Sequence, residues 1–181
     1  MFIRILVAAL LLLAVLPASA QPRIKAVATF SILGDFVGEV GGERVELATL
    51  VGPDTDAHTS QPRPTDARTL AAAQALVSNG LGFEGWIDRL AKAAPFKGRP
   101  IVASKGVPTL AAGPAHGHSH AHGPDPHCWQ DVACARRYVA NIAGGLAEAD
   151  PANAAQYRER AARYDQRLAA LDQWIRAEIA K

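Results

Sequence analysis

The sequence is poor in cysteine, aromatic residues and net charge. Its 181 residues include two cysteines and 6% Phe, Trp and Tyr, with 19 Lys and Arg against 17 Asp and Glu. Two cysteines are too few for a disulfide-stapled scaffold. A formal charge of +2, with no basic run interleaved with aromatics, argues against a nucleic-acid partner. With 49% hydrophobic residues the composition is that of an ordinary globular protein.

The N-terminus carries the longest apolar run. Arg4 precedes an uninterrupted apolar stretch from Ile5 to Leu16, which ends at the small-residue exit Pro17-Ala18-Ser19-Ala20. The stretch is shorter than the ~20 residues of a membrane-spanning helix, and its layout is typical of a secretory signal peptide. We therefore expect residues 1–20 to be a cleaved signal peptide and the mature chain, from Gln21, to be periplasmic.

The two cysteines, Cys128 and Cys134, lie six positions apart. An oxidising compartment permits a disulfide, but a bridge that closes so short a loop stabilises little. It would also be strained if Cys134 lies on a helix that begins near Asp131. The sequence favours two unpaired cysteines and leaves a disulfide open.

The region 21–130 has the pattern of an α/β lobe. Apolar, β-branched runs predict strands at 24–30, 44–51, 76–78 and 100–103, and amphipathic stretches predict helices at 31–40, 65–75 and 84–94. This alternation predicts an α/β fold with a four-stranded parallel sheet and flanking helices. Ligands of such sheets bind beyond the carboxyl ends of the strands, so we expect the loops after Val51, Ser78 and Ala103 to converge there.

The remainder of the chain is predicted to be helical, with one helix at 131–149 and a longer one at 150–181. In the longer helix, apolar residues recur at steps of three and four, which forms one stripe on an otherwise charged rod: Tyr157, Ala161, Tyr164, Leu168, Leu171 and Ile175. At 1.5 Å per residue this helix would be ~45 Å long. The apolar stripe of this helix needs another surface to pack against.

All six histidines lie between positions 58 and 127. Four of them, His116, His118, His120 and His122, alternate with small residues in a flexible polar loop at 113–126. Neutral imidazole binds zinc, copper and nickel, so this loop is predicted to capture a metal ion. The alternative is a solvated low-complexity segment that only titrates.

His58 and His127 lie in different surroundings, because prolines frame both of their loops at the expected ligand-binding end of the sheet. Proline restricts the backbone, which reduces the entropy lost when a ligand is fixed. The spacing contains no H-x-x-H or C-x-x-C pattern, so spacing alone is equally consistent with metal ligands and with surface histidines.

Several motifs in order resemble the periplasmic zinc- and manganese-binding proteins of metal ABC importers. Besides the histidine-rich loop, they are TFSILGDFV at 29–37, DAHTSQPRPTD at 56–66, NGLGFEGWIDRL at 79–90 and DPHCWQD at 125–131. The resemblance covers essentially the whole chain from residue 21. It implies that His58, in the D-x-H motif, and His127, in the D-P-H-x-W motif, are metal ligands.

The resemblance also implies two α/β lobes joined by a long helix, with the metal ion between them. This chain stops at Lys181, where that helix should end, so we expect the C-terminal lobe and its two ligands to be absent. Zinc prefers four donors, and we expect reduced affinity unless a loop histidine, Asp56, Asp125 or a second copy of the chain completes the set. Asp125 and Asp131 are expected to orient a ligand or to cap a helix.

The sequence thus predicts a non-enzymatic periplasmic binding protein that captures Zn²⁺ for delivery to an ABC permease at the inner membrane. A manganese-binding counterpart is the first alternative, since oxygen donors would favour Mn²⁺. A truncated zinc buffer or chaperone without a transport role is the second. A hydrolase with a metal-activated water is least supported, because no G-x-S-x-G or H-E-x-x-H motif is present. The sequence does not indicate an oligomeric state.

Overall fold

The computed structural model describes residues 22–109 and 123–181. The predicted signal peptide, residues 1–20, lies outside these ranges. The four clustered histidines, His116, His118, His120 and His122, also lie outside the described residues.

Four strands alternate with helices, and two longer helices follow. The strands are β1 (Ile24–Phe30), β2 (Val45–Val51), β3 (Ala75–Ser78) and β4 (Arg99–Val102); the helices are α1 (Ser31–Gly41), α2 (Pro64–Ala71), α3 (Ile87–Ala93), α4 (Val132–Ala149) and α5 (Ala154–Ile179). The predicted four-stranded parallel sheet is confirmed, with strand order β2-β1-β3-β4. In this order β2 and β4 form the two outer edges.

The core lies between the sheet and the layer formed by α1, α4 and α5. The central strands β1 and β3 are buried along most of their length, as their predominantly apolar sequences require. The helix α1 buries Leu33, Val37 and Val40 completely. At Gly145 of α4, an added Cβ would collide with the side chain of Ile101, so the glycine allows α4 to approach β4 closely.

Helix α5 covers the core with its first half only. Tyr157, Ala161 and Leu168 are buried, whereas Leu171 and Trp174 further along the helix are 42% and 60% exposed. The predicted stripe is therefore only partly covered by the described residues. None of the helices in the described part of the chain combines the length and the apolar composition needed to cross a bilayer.

Cys128 and Cys134 form a disulfide. Cys128 begins a short 3-10 turn that folds the chain back onto the first turn of α4, and the two Cα atoms are 5.6 Å apart. This separation lies within the range that a disulfide spans. The prediction of two unpaired cysteines is wrong, because their spacing along the sequence does not reveal this reversal.

Candidate metal centre

His58 and His127 face each other at the carboxyl end of the sheet. His58 lies in the loop that follows β2, and His127 lies in the segment between β4 and α4. Their Nε2 atoms are 3.1 Å apart although the residues are 69 positions apart in sequence. The two histidines that the sequence singled out individually are therefore neighbours in space.

The separation of the two nitrogens is one that a single metal ion can span. With metal–nitrogen bonds of ~2.0–2.1 Å, two ligating nitrogens are about 2.9 Å apart at a right angle and about 3.3 Å apart at a tetrahedral angle. The observed 3.1 Å lies between these values. The pair is thus compatible with tetrahedral and with octahedral coordination, and the distance alone does not select the metal.

Asp56 fixes the loop that carries His58. Its Oδ1 accepts a hydrogen bond from the backbone N–H of His58 at 2.9 Å, and its Oδ2 accepts one from the Thr59 hydroxyl at 2.8 Å. The hydroxyl of Thr59 and then the amide of His58 lower the pKa of Asp56. On the other side of this turn, the indole Nε1 of Trp86 donates to the carbonyl of Ala57 at 2.8 Å.

Asp125 lies behind the ring of His127. Its Oδ1 is 2.9 Å from the backbone nitrogen of His127 and 2.8 Å from the ring Nδ1. The backbone hydrogen bond, followed by the ring hydrogen bond, lowers the pKa of Asp125. A proton on Nδ1 directed at this carboxylate leaves the lone pair of Nε2 facing His58. This is the arrangement expected of a carboxylate that orients a ligand.

The short distance between the imidazoles restricts their protons. Two nitrogen lone pairs facing each other at 3.1 Å would repel, so in the metal-free protein one Nε2 carries a proton and donates to the other. Since Nδ1 of His127 faces Asp125, the tautomer that satisfies both contacts places this proton on His58. A metal ion between the rings would replace it.

The histidine pair packs on a cluster of three aromatic side chains: Phe30, Phe83 and Trp129. The ring of Phe83 is 4.3 Å from that of His58, and the ring of Trp129 is 5.3 Å from that of His127, measured between centroids. The pair also borders a cleft of about 270 Å³, which these aromatic side chains help to line. Water or further donors can approach the imidazoles from this cleft.

A buried asparagine, Asn79, connects the elements at this end of the sheet, and the sequence did not identify it as a functional residue. Asn79 is fully buried. Its Nδ2 donates to the carbonyl of Pro126 at 3.0 Å, and its Oδ1 accepts from the hydroxyl of Tyr138 at 2.7 Å. Burial raises the pKa of Tyr138 to about 12. The Asn-Gly pair itself predicts only a turn, so no local signal reveals this network.

The side chain of Glu84 belongs to the same hydrogen-bond network. Its buried carboxylate accepts hydrogen bonds from the Thr29 hydroxyl at 2.6 Å and from the backbone nitrogens of Asn79 and Gly80 at 2.6 and 3.2 Å. Three donors satisfy an anion that would otherwise be costly to bury. Because Glu84 belongs to this turn, α3 begins at Ile87 and not at Glu84 as predicted.

Within residues 22–109 and 123–181, no group of three or more His, Cys, Asp or Glu side chains is placed to hold a metal ion. The disulfide also removes Cys128 and Cys134 as thiolate donors. What the described residues offer is therefore a pair of opposed imidazoles with an open side.

Comparison with known proteins assigns this chain to a family. The sequence profile described as "Zinc-uptake complex component A periplasmic" matches residues 26–181. The manganese-binding lipoprotein MntA of Halalkalibacterium halodurans is 33% identical over 156 residues, which cover 86% of this chain and 50% of that protein. The manganese ABC transporter substrate-binding lipoprotein PsaA of Streptococcus pneumoniae is 31% identical over 161 residues, which cover 86% and 51%.

A solved structure agrees with these matches. The Mn-bound periplasmic metal binding protein from Candidatus Liberibacter asiaticus superposes with a TM-score of 0.71 at 26% identity, covering 80% of this chain and 53% of that one. The chain spans about half the length of the curated relatives it matches. The relatives are substrate-binding proteins of metal transporters and not enzymes, so the hydrolase alternative is not supported. The chain belongs to the zinc-uptake component A family of periplasmic metal-binding proteins.

Proposed function

We propose that this chain captures a divalent transition-metal ion, Zn²⁺ in the first instance, in the periplasm and delivers it to an ABC permease, with His58 and His127 as two of the ligands. The observation that carries the proposal is the 3.1 Å separation of their Nε2 atoms. The loop after β2 meets the segment before α4 there, and each is held by hydrogen bonds that it donates to its own aspartate, Asp56 or Asp125. The separation of the two nitrogens is the one expected when both bind the same metal ion.

Zinc is favoured by the type of donor. Both described donors are imidazole nitrogens, which suit zinc, and the four further histidines, His116, His118, His120 and His122, are available to attract the same ion. The family description also refers to zinc uptake. Manganese is the alternative, because two relatives are named as manganese proteins and the nitrogen separation also permits octahedral geometry.

The two imidazoles leave at least two coordination positions open. Asp56 and Asp125 both accept hydrogen bonds that orient their own loops, so we assign them a supporting role and not a bond to the metal. The histidine-rich loop, water molecules or a second copy of the chain are the donors that could fill these positions. Oxygen donors would shift the preference toward manganese.

Calorimetric titration of the purified chain with Zn²⁺ and, separately, with Mn²⁺ tests the proposal. We expect one zinc site per chain, and His58→Ala and His127→Ala should each weaken it by about 100-fold or more, since each removes one ligand. A variant with His116, His118, His120 and His122 all changed to Ala tests whether the loop completes the coordination: a loss of affinity at the same site would assign it that role, and unchanged affinity would assign the open positions to water or a second copy of the chain. Unchanged zinc affinity in both single variants would refute the proposed site.

The delivery step needs a test in cells. Expression of the chain should restore growth in zinc-depleted medium to a strain that lacks its own periplasmic zinc-binding component, and the His58→Ala variant should not. A chain that binds zinc tightly but fails to restore growth would instead be a periplasmic buffer.

A further inference from the structure

One short segment contacts both histidine loops, and we call residues 79–86, directly after β3, the bridging turn. At its start, Nδ2 of Asn79 donates to the carbonyl of Pro126, which precedes His127. At its end, Nε1 of Trp86 donates to the carbonyl of Ala57, the residue before His58. The bridging turn thus holds the main chain immediately before each imidazole.

The middle of the bridging turn supports the imidazole rings themselves. Phe83 packs edge-on against both, with centroid distances of 4.3 Å to His58 and 5.8 Å to His127. Of the residues in this turn, only Phe83 contacts the rings in this way, and no polar atom of Asn79 or Trp86 bonds a ring nitrogen. Asn79 and Trp86 therefore act on the histidines through the backbone.

The bridging turn is itself fixed from several sides. Asn79, Phe83, Glu84 and Trp86 are all at most 5% exposed. The carboxylate of Glu84 accepts the amides of Asn79 and Gly80, and the Ser104 hydroxyl donates to the carbonyl of Asn79. Because these four side chains are buried and the ends of the turn are hydrogen-bonded to its surroundings, the turn can define the separation of the two loops that rest on it.

We propose that Asn79 and Trp86 are positioning residues for metal capture, which set the distance between the Nε2 atoms of His58 and His127 before the ion arrives. This inference rests on the proposed function. Its physical basis is preorganisation: loops already held at the bound separation lose less conformational entropy when the ion is bound. Neither residue needs to touch the metal.

Each of two conservative substitutions removes the hydrogen bond that holds one of the two histidine loops. Asn79→Asp keeps the size of the side chain and removes the amide donor to Pro126, and Trp86→Phe keeps an aromatic ring and removes the donor to Ala57. Gln74→Glu is the matched control, because Nε2 of Gln74 donates to the carbonyl of Ala72 at 3.2 Å. It makes the same kind of amide-to-carbonyl contact in the loop before β3, at the opposite end of the sheet from both histidines.

Zinc affinity and the thermal midpoint of the metal-free chain are measured for all three variants. We expect Asn79→Asp and Trp86→Phe to weaken zinc binding by about tenfold or more, and Gln74→Glu to leave it unchanged. In a His127→Ala background, Asn79→Asp should cause no further loss of affinity. An equal loss of affinity in Gln74→Glu, or none in Trp86→Phe, would overturn the inference. Trp86→Phe still decides the outcome if Asn79→Asp does not fold.

A readout without metal separates this inference from the proposed function. In the metal-free chain, the ring protons of His58 and His127 should give a nuclear Overhauser cross-peak, which Asn79→Asp and Trp86→Phe should weaken and Gln74→Glu should retain. If the parent chain shows the cross-peak pattern but binds no metal, the proposed function fails and the positioning role stands. If the cross-peak persists in both test variants, the positioning role fails.

Discussion

The carboxylate of Asp125 holds His127 at two points, since one oxygen, Oδ1, lies 2.9 Å from its backbone nitrogen and 2.8 Å from its ring Nδ1. Asp56 makes the corresponding backbone contact to His58 at 2.9 Å but has no contact with that ring. The two aspartates therefore differ in what they fix: Asp125 orients an imidazole, whereas Asp56 orients a loop.

Removal of the negative charge behind His127 should weaken metal binding. We expect Asp125→Asn to lower zinc affinity by about 10- to 100-fold, because the ligating imidazole loses the charged acceptor that raises its basicity. Asp56→Asn is the matched comparison and should have a smaller effect, because only backbone and hydroxyl contacts change. Competition titration against a chromophoric zinc chelator measures both, and a larger loss in Asp56→Asn would contradict the assignment of the two roles.

Metal affinity should fall as the pH is lowered from about 7.5 to about 5.5, because protons compete with the ion for the imidazole nitrogens of His58 and His127. Hydrogen bonds from His127 lower the pKa of Asp125 below its ordinary value of 3.8, so this carboxylate stays ionised throughout that range. The fall therefore reports the imidazoles and not the aspartate. Zinc affinity measured at three pH values checks this, and a flat profile would show that histidines do not ligate the ion.

The ion pair between Arg136 on α4 and Asp165 on α5 should contribute to stability in a pH-dependent way. The hydrogen bond from Arg136, at 2.6 Å, lowers the pKa of Asp165. A lowered folded-state pKa means that the contribution is present above the unfolded value of about 3.9 and is lost as the pH falls through the folded value. Both side chains are more than a third exposed, so we expect Asp165→Asn to cost only about 0.5 kcal/mol at pH 7.

Chemical denaturation at pH 7 and at about pH 3 measures this effect. The difference in the free energy of unfolding between Asp165→Asn and the parent should shrink at the lower pH. Asp172→Asn is a suitable control, because Asp172 pairs with Arg176 within a single helix and not between two helices. If this difference in the free energy of unfolding grows at the lower pH, its pH dependence has the opposite sign to the expected one, and the ion pair is not its cause.

The disulfide should stabilise the segment that carries His127. A loop as short as that between Cys128 and Cys134 corresponds to about 2 kcal/mol in the chain-entropy treatment. The Cys128→Ser/Cys134→Ser double variant should therefore unfold at a lower denaturant concentration than the parent. Added dithiol reductant should shift the parent toward the double variant and leave the variant unchanged. Identical unfolding of the two oxidised proteins would show that the bridge contributes nothing measurable.

Part of the fold was predictable because its signals are local. The apolar run at 24–30 is a strand and the amphipathic stretch after it is a helix, as expected, since hydrophobic periodicity depends on adjacent residues alone. The convergence of His58 and His127 followed from the same reasoning, because parallel strands carry their ligand-binding loops at one end. The order of the strands, β2-β1-β3-β4, was not predicted.

Features that depend on distant partners could not be read from the sequence. Asn79 looks like a turn residue until Pro126 and Tyr138, 47 and 59 positions further on, are brought against it. Glu84 looks like the first residue of a helix until its carboxylate is found among buried amides. In both cases a tertiary hydrogen bond outweighs a local preference.

The separation of His58 and His127 along the chain has a consequence for local unfolding. An ion held jointly by the two imidazoles would link the loop after β2 to the segment before α4, so local opening of either would release it. Such an ion would stabilise only the state in which both are docked on the sheet. Slower amide hydrogen exchange in the two segments, together, would be its signature.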